Sequence, residues 1–142
     1  MKVQRTIKVD RPQPTVVAYL ADFTNTEHWD PGTLHCVRTD TGPIRVGATW
    51  KNVSNFHGRT TELDYRLARL DPARLTFTGH NKQATTTDDL HFATNGTTTT
   101  ITYNAEITFN GLLKLATPFV RRSFEKLADE VETSLTTTLE AL

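Results

Sequence analysis

Hydrophobic and polar positions alternate along most of the chain up to residue 109. Residues 2–9 open the pattern, with Val3, Arg5, Ile7 and Val9 on one side and Lys2, Gln4, Thr6 and Lys8 on the other. A period of two predicts a strand with one mostly apolar face. The same texture predicts six further strands, at residues 33–40, 47–56, 59–70, 75–79, 84–94 and 97–109. The dipeptide Asn95-Gly96 is the strongest hairpin signal among their connections.

The segment between the first two strands lacks this alternation and predicts two short helices. Pro12 or Pro14 can open the first helix, which runs to about Asp22, because a proline at a helix start gives up no hydrogen bond. Residues 23–29 predict a second helical piece. The tripeptide Asp30-Pro31-Gly32 ends it, since the residue before a proline disfavours helical geometry.

The last part of the chain predicts one long helix. After Gly111 the hydrophobic period changes from two to between three and four. The apolar stripe of this segment consists of Leu112, Leu115, Ala116, Phe119, Phe124, Leu127, Val131, Leu135, Leu139 and Leu142. We therefore predict a helix over residues 112–142, kinked or restarted at Pro118, with Thr117 as an N-cap.

Together these elements predict one α+β domain that spans residues 1–142. Each later strand has one apolar face, so the sheet needs a cover on one side only. The predicted architecture is a helix grip: a curved antiparallel seven-stranded sheet wraps around the long C-terminal helix, with two short helices after the first strand. One helix across a curved sheet leaves space beneath it, so we expect an internal cavity. Antiparallel connectivity brings residues 56–59, 79–83 and 109–112 to one end, which we predict to be its mouth.

The charge and cysteine counts narrow the classes of partner. Lys plus Arg and Asp plus Glu both number 16, so the formal net charge is zero, whereas nucleic-acid binders usually carry a basic surplus. Cys36 is the single cysteine, which favours a reducing compartment. No run approaches the roughly 20 apolar residues that span a bilayer. We expect a cytoplasmic protein, a monomer or weak homodimer, that neither inserts into membranes nor binds nucleic acid.

Strand parity selects the side chains that face the expected cavity. The candidates are Trp50, Asn52, Ser54, Phe56, Leu63, Tyr65, Phe77, Leu90, Phe92, Tyr103 and Phe109 from the strands, with Trp29, Phe119 and Phe124 from the helices. A small-molecule pocket combines an apolar wall with a few polar groups that fix orientation. Asn52, Ser54, Tyr65 and Tyr103 are the candidates for that polar role. The competing interpretation is that the aromatic side chains form an ordinary core and the polar groups satisfy one another.

Candidates for catalysis are few. Arg59 lies near the predicted mouth with the parity of the cavity-facing residues, and a guanidinium there can hold a carboxylate or enolate oxygen. His57 at the mouth and Tyr103 in the cavity are the candidates for an acid–base role. Asp88 shares the cavity-facing parity and is a weaker case than Arg59. Each of these residues also has an ordinary structural or surface interpretation.

The remaining chemistry-bearing residues form no recognisable motif. The five histidines are His28, His35, His57, His80 and His91, and no two of them have the i, i+4 spacing of a helical zinc motif. We therefore predict neither a metal ion nor a cofactor. Thr15, Ser54 and Ser123 carry hydroxyl groups without an evident base, so the sequence does not predict nucleophilic catalysis.

Several segments resemble the START-related SRPBCC superfamily, in particular its polyketide cyclase/dehydrase-like branch. They are Tyr19-Leu20-Ala21-Asp22-Phe23 leading to Trp29-Asp30-Pro31-Gly32, Val46-Gly47 before a Trp-bearing strand, residues 71–79 (DPARLTFTG), Gly96-Thr97, and residues 111–115 (GLLKL) followed by Pro118. The resemblance covers nearly the whole chain and implies the helix-grip fold. It implies less about function, because the superfamily includes lipid carriers, hormone receptors, aromatase/cyclases and chaperone activators.

Three functions stay open at this point. The first is binding, transport or sequestration of a small hydrophobic molecule, lipid-like or polycyclic aromatic, in the cavity. The second is a cyclase or dehydratase that acts on a polyketide-like substrate through Arg59, a mouth histidine and a cavity tyrosine. The third is a chaperone- or stress-linked interaction domain, which the threonine-rich and charged outer sheet face disfavours.

Overall fold

The computed structural model describes residues 1–142 and contains a seven-stranded sheet and a long helix. The elements, in chain order, are β1 (Lys2–Val9), α1 (Gln13–Ala21), a 3₁₀ turn (Phe23–Asn25), α2 (Thr26–Trp29), β2 (Thr33–Arg38), β3 (Thr49–Phe56), β4 (Arg59–Asp71), β5 (Arg74–His80), β6 (Ala84–Asn95), β7 (Thr98–Phe109), a 3₁₀ segment (Gly111–Ala116) and α3 (Thr117–Glu140). This architecture confirms the predicted helix-grip fold.

The sheet is antiparallel throughout, with the strand order β1-β7-β6-β5-β4-β3-β2. β2 to β7 follow one another as neighbours, whereas β1 pairs with β7 across about a hundred residues of sequence. The register shifts between Thr33 and His35 in β2 and between Leu67 and Arg69 in β4. Bulges of this kind bend a strand and increase its twist, which helps the sheet curve around α3.

The start of the long helix differs from the prediction. Residues 111–116 form a 3₁₀ segment, so α3 begins at Thr117 and has 24 residues. Thr117 is therefore the first helical residue, and Ala116 occupies the N-cap position without a side-chain hydrogen bond. Pro118 explains the break, because its ring and missing N–H are tolerated only in the first turn of a helix. The predicted role of Thr117 as N-cap is wrong.

The helix is held against the sheet by apolar packing and by an ion pair. Val131, Leu135 and Leu139 form the buried stripe of its second half. The Arg5 guanidinium of β1 lies 2.9 Å from the Asp129 carboxylate of α3. The same side chain also donates to the main-chain oxygen of Glu125 at 3.3 Å. The second half of α3 therefore packs against the core, whereas its first half covers a cavity.

Candidate ligand-binding cavity

A cavity of about 430 Å³ lies between the sheet and the first half of α3. Its sheet wall follows the period of two, with every second residue of a strand facing inward. The wall residues with this period are Val3, Arg5 and Ile7 on β1, Asn52, Ser54 and Phe56 on β3, Arg59, Thr61, Leu63 and Tyr65 on β4, Ala84, Thr86 and Asp88 on β6, and Tyr103, Ala105, Ile107 and Phe109 on β7. Asn55 and Glu106 also border the cavity. The helix adds Phe119, Val120, Phe124, Leu127, Ala128 and Val131. The wall is therefore mainly apolar, with a few polar groups.

Most of the predicted cavity residues lie on this wall. Those that line the cavity are Asn52, Ser54, Phe56, Leu63, Tyr65, Tyr103, Phe109, Phe119 and Phe124, together with the catalytic candidates His57 and Arg59. The structure thus places them around one space, and their contact with a ligand stays a prediction.

Five predicted residues lie elsewhere, and the structure corrects the prediction for them. Trp29, Trp50, Phe77, Leu90 and Phe92 are buried in the packed core and do not line the cavity. The four strand residues have the predicted parity but lie farther along their strands, where α1 and the 3₁₀ turn cover the sheet. The ring of Phe23 in that turn packs against Phe77 with centroids 4.4 Å apart. Strand parity predicts on which face of the sheet a side chain lies, but not whether that side chain lines the cavity or packs in the core.

The inner end of the cavity carries its polar groups. The wall residue farthest from the mouth is Asn52 on β3, Tyr65 on β4, Asp88 on β6 and Tyr103 on β7. The Tyr103 hydroxyl donates to Asp88 Oδ1, and the Thr86 hydroxyl donates to the Tyr65 hydroxyl at 3.0 Å. Asn52 Nδ2 donates to Thr33 Oγ1 at 3.1 Å. The amide nitrogen of Asn52 is thereby satisfied within the protein, whereas the other groups keep capacity for a ligand.

The carboxyl group of Asp88 is perturbed by its surroundings. Burial in the apolar cavity raises its pKa from 3.8 to about 7, against a smaller opposing effect of the Tyr103 hydrogen bond. Asp88 keeps some accessible surface, and that surface faces the cavity. Burial also raises the pKa of Asp30, a second wall carboxyl. Burial and the neighbouring carboxyl of Asp88 raise the pKa values of Tyr65 and Tyr103 well above their ordinary range.

The ring of Tyr65 depends on a neighbouring glycine for its position. Tyr65 pairs directly with Gly79 of β5. A Cβ atom at Gly79 would lie 2.7 Å from ring carbons of Tyr65 and 2.7 Å from Thr86 Oγ1. Only a residue without a side chain therefore lets the phenol ring lie against β5 and point its hydroxyl toward Thr86.

The mouth of the cavity lies at the end of the sheet that connectivity predicts. His57 and Arg59 of the β3–β4 hairpin are exposed there, and His57 Nδ1 lies 2.9 Å from Ser123 Oγ of α3. Ser123 therefore has a neighbouring base that the sequence did not reveal, although no carboxylate orients the imidazole. Beside the mouth, the side chains of Leu112, Leu115 and Phe119 are 86%, 74% and 79% exposed.

Other predicted groups lie away from the cavity or form no site. His80 is exposed, as its parity indicates. No three His, Cys, Asp or Glu side chains come close enough to hold a metal ion. No helix combines the length and the apolar character that crossing a bilayer requires.

Sequence reasoning undervalued the carboxyl groups of the cavity. Asp88 had the correct parity but was ranked below Arg59, which the structure places at the exposed mouth. In the sequence, Asp30 stands out only as part of a helix stop, and nothing singles out Thr86. The parity of Thr86 with Asp88 was the available signal. No local signal placed Asp30 beside strands far away in sequence.

The comparison with known families settles the relationship of the chain. Residues 1–140 match the model of the family described as polyketide cyclase/dehydrase and lipid transport. The chain belongs to this family. No curated protein matches the sequence.

Solved structures agree with the family at the level of fold. The chain is similar to the Zhui aromatase/cyclase from Streptomyces sp. R1128, with a TM-score of 0.77, 14% identity and coverage of 99% of this chain and 92% of that one. It is also similar to a START superfamily protein from Mycobacterium smegmatis, with a TM-score of 0.73, 12% identity and coverage of 97% and 98%. It is similar as well to ginseng major latex-like protein 151 from Panax ginseng, with a TM-score of 0.70, 11% identity and coverage of 97% of this chain and 96% of that one. At these identities the likeness establishes the fold shared with the polyketide cyclase/dehydrase family.

Proposed function

We propose that this protein binds a small, largely apolar molecule in the cavity between its sheet and α3. The observation that carries the proposal is the cavity itself, whose volume of about 430 Å³ is in the range of small-molecule sites. A void of that size is costly when it is empty and apolar, because its lining loses packing contacts. A bound molecule would restore them.

The composition of the wall supports the same proposal. Leu63, Ile107 and Phe124 supply apolar surface, and the hydroxyls of Tyr65 and Tyr103 supply a few oriented polar atoms at the inner end. This combination gives affinity through burial of apolar area and orientation through hydrogen bonds. The cyclase and lipid-transport activities named for the family both require such a site.

Native mass spectrometry on protein purified from its own host is the first test. A stoichiometric small molecule that co-purifies supports the proposal and identifies its chemical class. A second measurement uses the fluorescence of N-phenyl-1-naphthylamine, a neutral dye that brightens in apolar sites. The proposal fails if the purified protein carries no small molecule, if the dye does not brighten in its presence, and if neither the dye nor fatty acids nor polycyclic aromatics change its melting temperature.

A matched pair of variants locates the binding. Ala105→Phe directs a ring into the cavity from β7, whereas Thr108→Phe adds the same ring at an exposed position of the same strand. We expect Ala105→Phe to weaken dye binding at least about tenfold because it fills the space the ligand needs. Thr108→Phe leaves binding unchanged. Equal binding by both folded variants would place the dye outside the cavity.

One observation favours a second candidate, a cyclase- or dehydratase-type enzyme. Asp88, with its pKa raised to about 7, is matched to proton transfer at neutral pH and lies on the cavity wall. In this role the Asp88 carboxylate removes a proton from the carbon beside a ketone, and the Tyr65 hydroxyl donates a hydrogen bond to the enolate oxygen that forms. The proton on Asp88 exchanges with solvent, and Asp88 then protonates the enolate carbon. Deuterium incorporation into 2-tetralone in D₂O, faster than with Asp88→Asn protein, supports this role. Equal rates of deuterium incorporation with the wild-type and Asp88→Asn proteins would contradict this role.

A further inference from the structure

We infer that the cavity selects a neutral molecule whose inner end carries a hydroxyl group, and that this inner end disfavours a carboxylate group. This inference rests on the proposed binding function and names its ligand class. It is drawn from the arrangement of Asp88, Tyr65 and Tyr103 at the inner end of the cavity.

The first step concerns the hydrogen bonds that remain unused there. Asp88 Oδ1 accepts from Tyr103, while Asp88 Oδ2 has no partner in the protein. The Tyr65 hydroxyl accepts from Thr86, while its own hydrogen has no acceptor. Asp88 and Tyr65 therefore offer one carboxylate oxygen without a partner and one free hydroxyl donor at the inner end. A hydroxyl group, which donates once and accepts readily, uses both.

The second step concerns charge. The acidic groups of the wall are Asp30, Asp88 and Glu106, and the basic groups are Arg5, His57 and Arg59. Arg5 is bound to Asp129, and both His57 and Arg59 are exposed at the mouth. The titratable groups that influence Asp88 from neighbouring elements are Tyr103 of β7, Tyr65 of β4 and Asp30 after α2. None of these is a cation.

A carboxylate group placed at the inner end would therefore meet carboxyl groups without a counter-ion. Placing like charges together in an apolar site disfavours ionisation of one of them, so either the ligand or Asp88 must take up a proton. An ammonium group has the favourable sign of charge, but moving its charge from water into an apolar site costs free energy, and it brings three donors that all need acceptors. A neutral hydroxyl group can bond to Asp88 and Tyr65 without placing a second negative charge beside Asp88 and without burying a positive charge.

Matched bicyclic probes test this selection. The probes are 2-naphthol, 2-naphthoate, 2-naphthylmethylamine and unsubstituted naphthalene, each measured by displacement of N-phenyl-1-naphthylamine. At about pH 8 we expect 2-naphthol to bind at least about tenfold more tightly than naphthalene and about tenfold more tightly than 2-naphthoate, since one or two hydrogen bonds at a desolvated site have this effect. We also expect the affinity for 2-naphthoate to increase as the pH is lowered to about 6, where the Asp88 carboxyl takes up a proton.

Two variants assign the effect to Asp88. Asp88→Asn keeps the shape of the side chain and removes its charge, so we expect affinity for 2-naphthoate to rise at least about fivefold at about pH 8. Asp64→Asn, at an exposed position of β4, leaves all four affinities unchanged. Equal binding of 2-naphthol and 2-naphthoate, or tighter binding of 2-naphthylmethylamine than of 2-naphthol, would overturn the inference and leave the binding function standing. Failure of the dye and of every probe to bind would instead overturn the proposed function.

Discussion

The hydroxyl group of Tyr103 on β7 donates a hydrogen bond to the carboxyl group of Asp88 on the neighbouring strand β6. The two residues are not direct partners in the sheet, because Tyr103 opposes Leu90 and Asp88 opposes Ala105. Their side chains meet diagonally inside the cavity. The bond favours the ionised carboxyl and partly offsets the larger effect of burial on the pKa of Asp88.

Tyr103→Phe should consequently raise the pKa of Asp88 above its value of about 7, because the variant loses a hydrogen bond to the ionised form. Carbon-13 NMR of the Asp88 carboxyl during a pH titration measures the change. Leu63→Val, which alters the wall without touching the carboxyl, serves as control. An unchanged or lower pKa in Tyr103→Phe would mean that the hydrogen bond does not tune Asp88.

Asp88→Asn should stabilise the fold in a pH-dependent way. The folded-state pKa is raised from 3.8 to about 7, so between these values the folded protein holds a proton that the unfolded chain has released. Wild-type stability therefore falls relative to the variant as the pH rises through this window, by at most about 1.4 kcal/mol per pH unit, and the difference is constant above it. Urea denaturation at several pH values measures this difference. A constant difference across the window would contradict the raised pKa.

The two buried tryptophans should respond differently to loss of the indole N–H. Trp50 Nε1 donates to Asp22 Oδ1 at 3.3 Å, whereas Trp29 Nε1 is buried without an acceptor. Both Trp→Phe changes remove similar volume, but Trp50→Phe also breaks a hydrogen bond. We expect Trp50→Phe to lower the free energy of unfolding by about 0.5–1.5 kcal/mol more than Trp29→Phe. Chemical denaturation compares them, and a larger loss in Trp29→Phe would show that its N–H has a partner.

Gly79→Ala should destabilise the protein through a clash with Tyr65 and Thr86. Its new methyl group would lie 2.7 Å from atoms of both side chains, and we expect a loss of about 1–3 kcal/mol in the free energy of unfolding. Gly32→Ala is the matched control, because its nearest contact is 3.3 Å and easier to relieve. Chemical denaturation of the two variants measures the difference. Equal losses of unfolding free energy in Gly79→Ala and Gly32→Ala would indicate that the Tyr65 ring moves aside freely.

Sequence patterns predicted the fold well because it depends on local periodicity. The alternation along residues 98–109 and the period change after Gly111 suffice to predict β7 and the helix that follows. Parity also identified Tyr65, Tyr103 and Phe109 as inward-facing. It could not separate Asn52 on the cavity wall from Trp50 in the core, because two residues on one face differ only in what covers them.

The parts that sequence patterns missed arise from contacts between distant segments. His57 lies beside Ser123 because a hairpin reaches the helix, a separation of 66 residues. Asp30 comes near Asp88 because α2 ends over the inner end of the cavity. The pKa of Asp88 follows from such surroundings and not from its neighbours in sequence.

The ion pair between Arg5 and Asp129 joins the first strand to the last helix, so it can form only late in synthesis. These two residues are 124 positions apart, and β1 likewise waits about a hundred residues for its partner β7. Until the ribosome has delivered α3, the part of the inner face that lines the cavity has no cover. The nascent chain therefore exposes a broad apolar surface for most of its translation, and folding dominated by such distant contacts is slow. A ligand already present in the cell would meet an open half-shell, and α3 would close over it last.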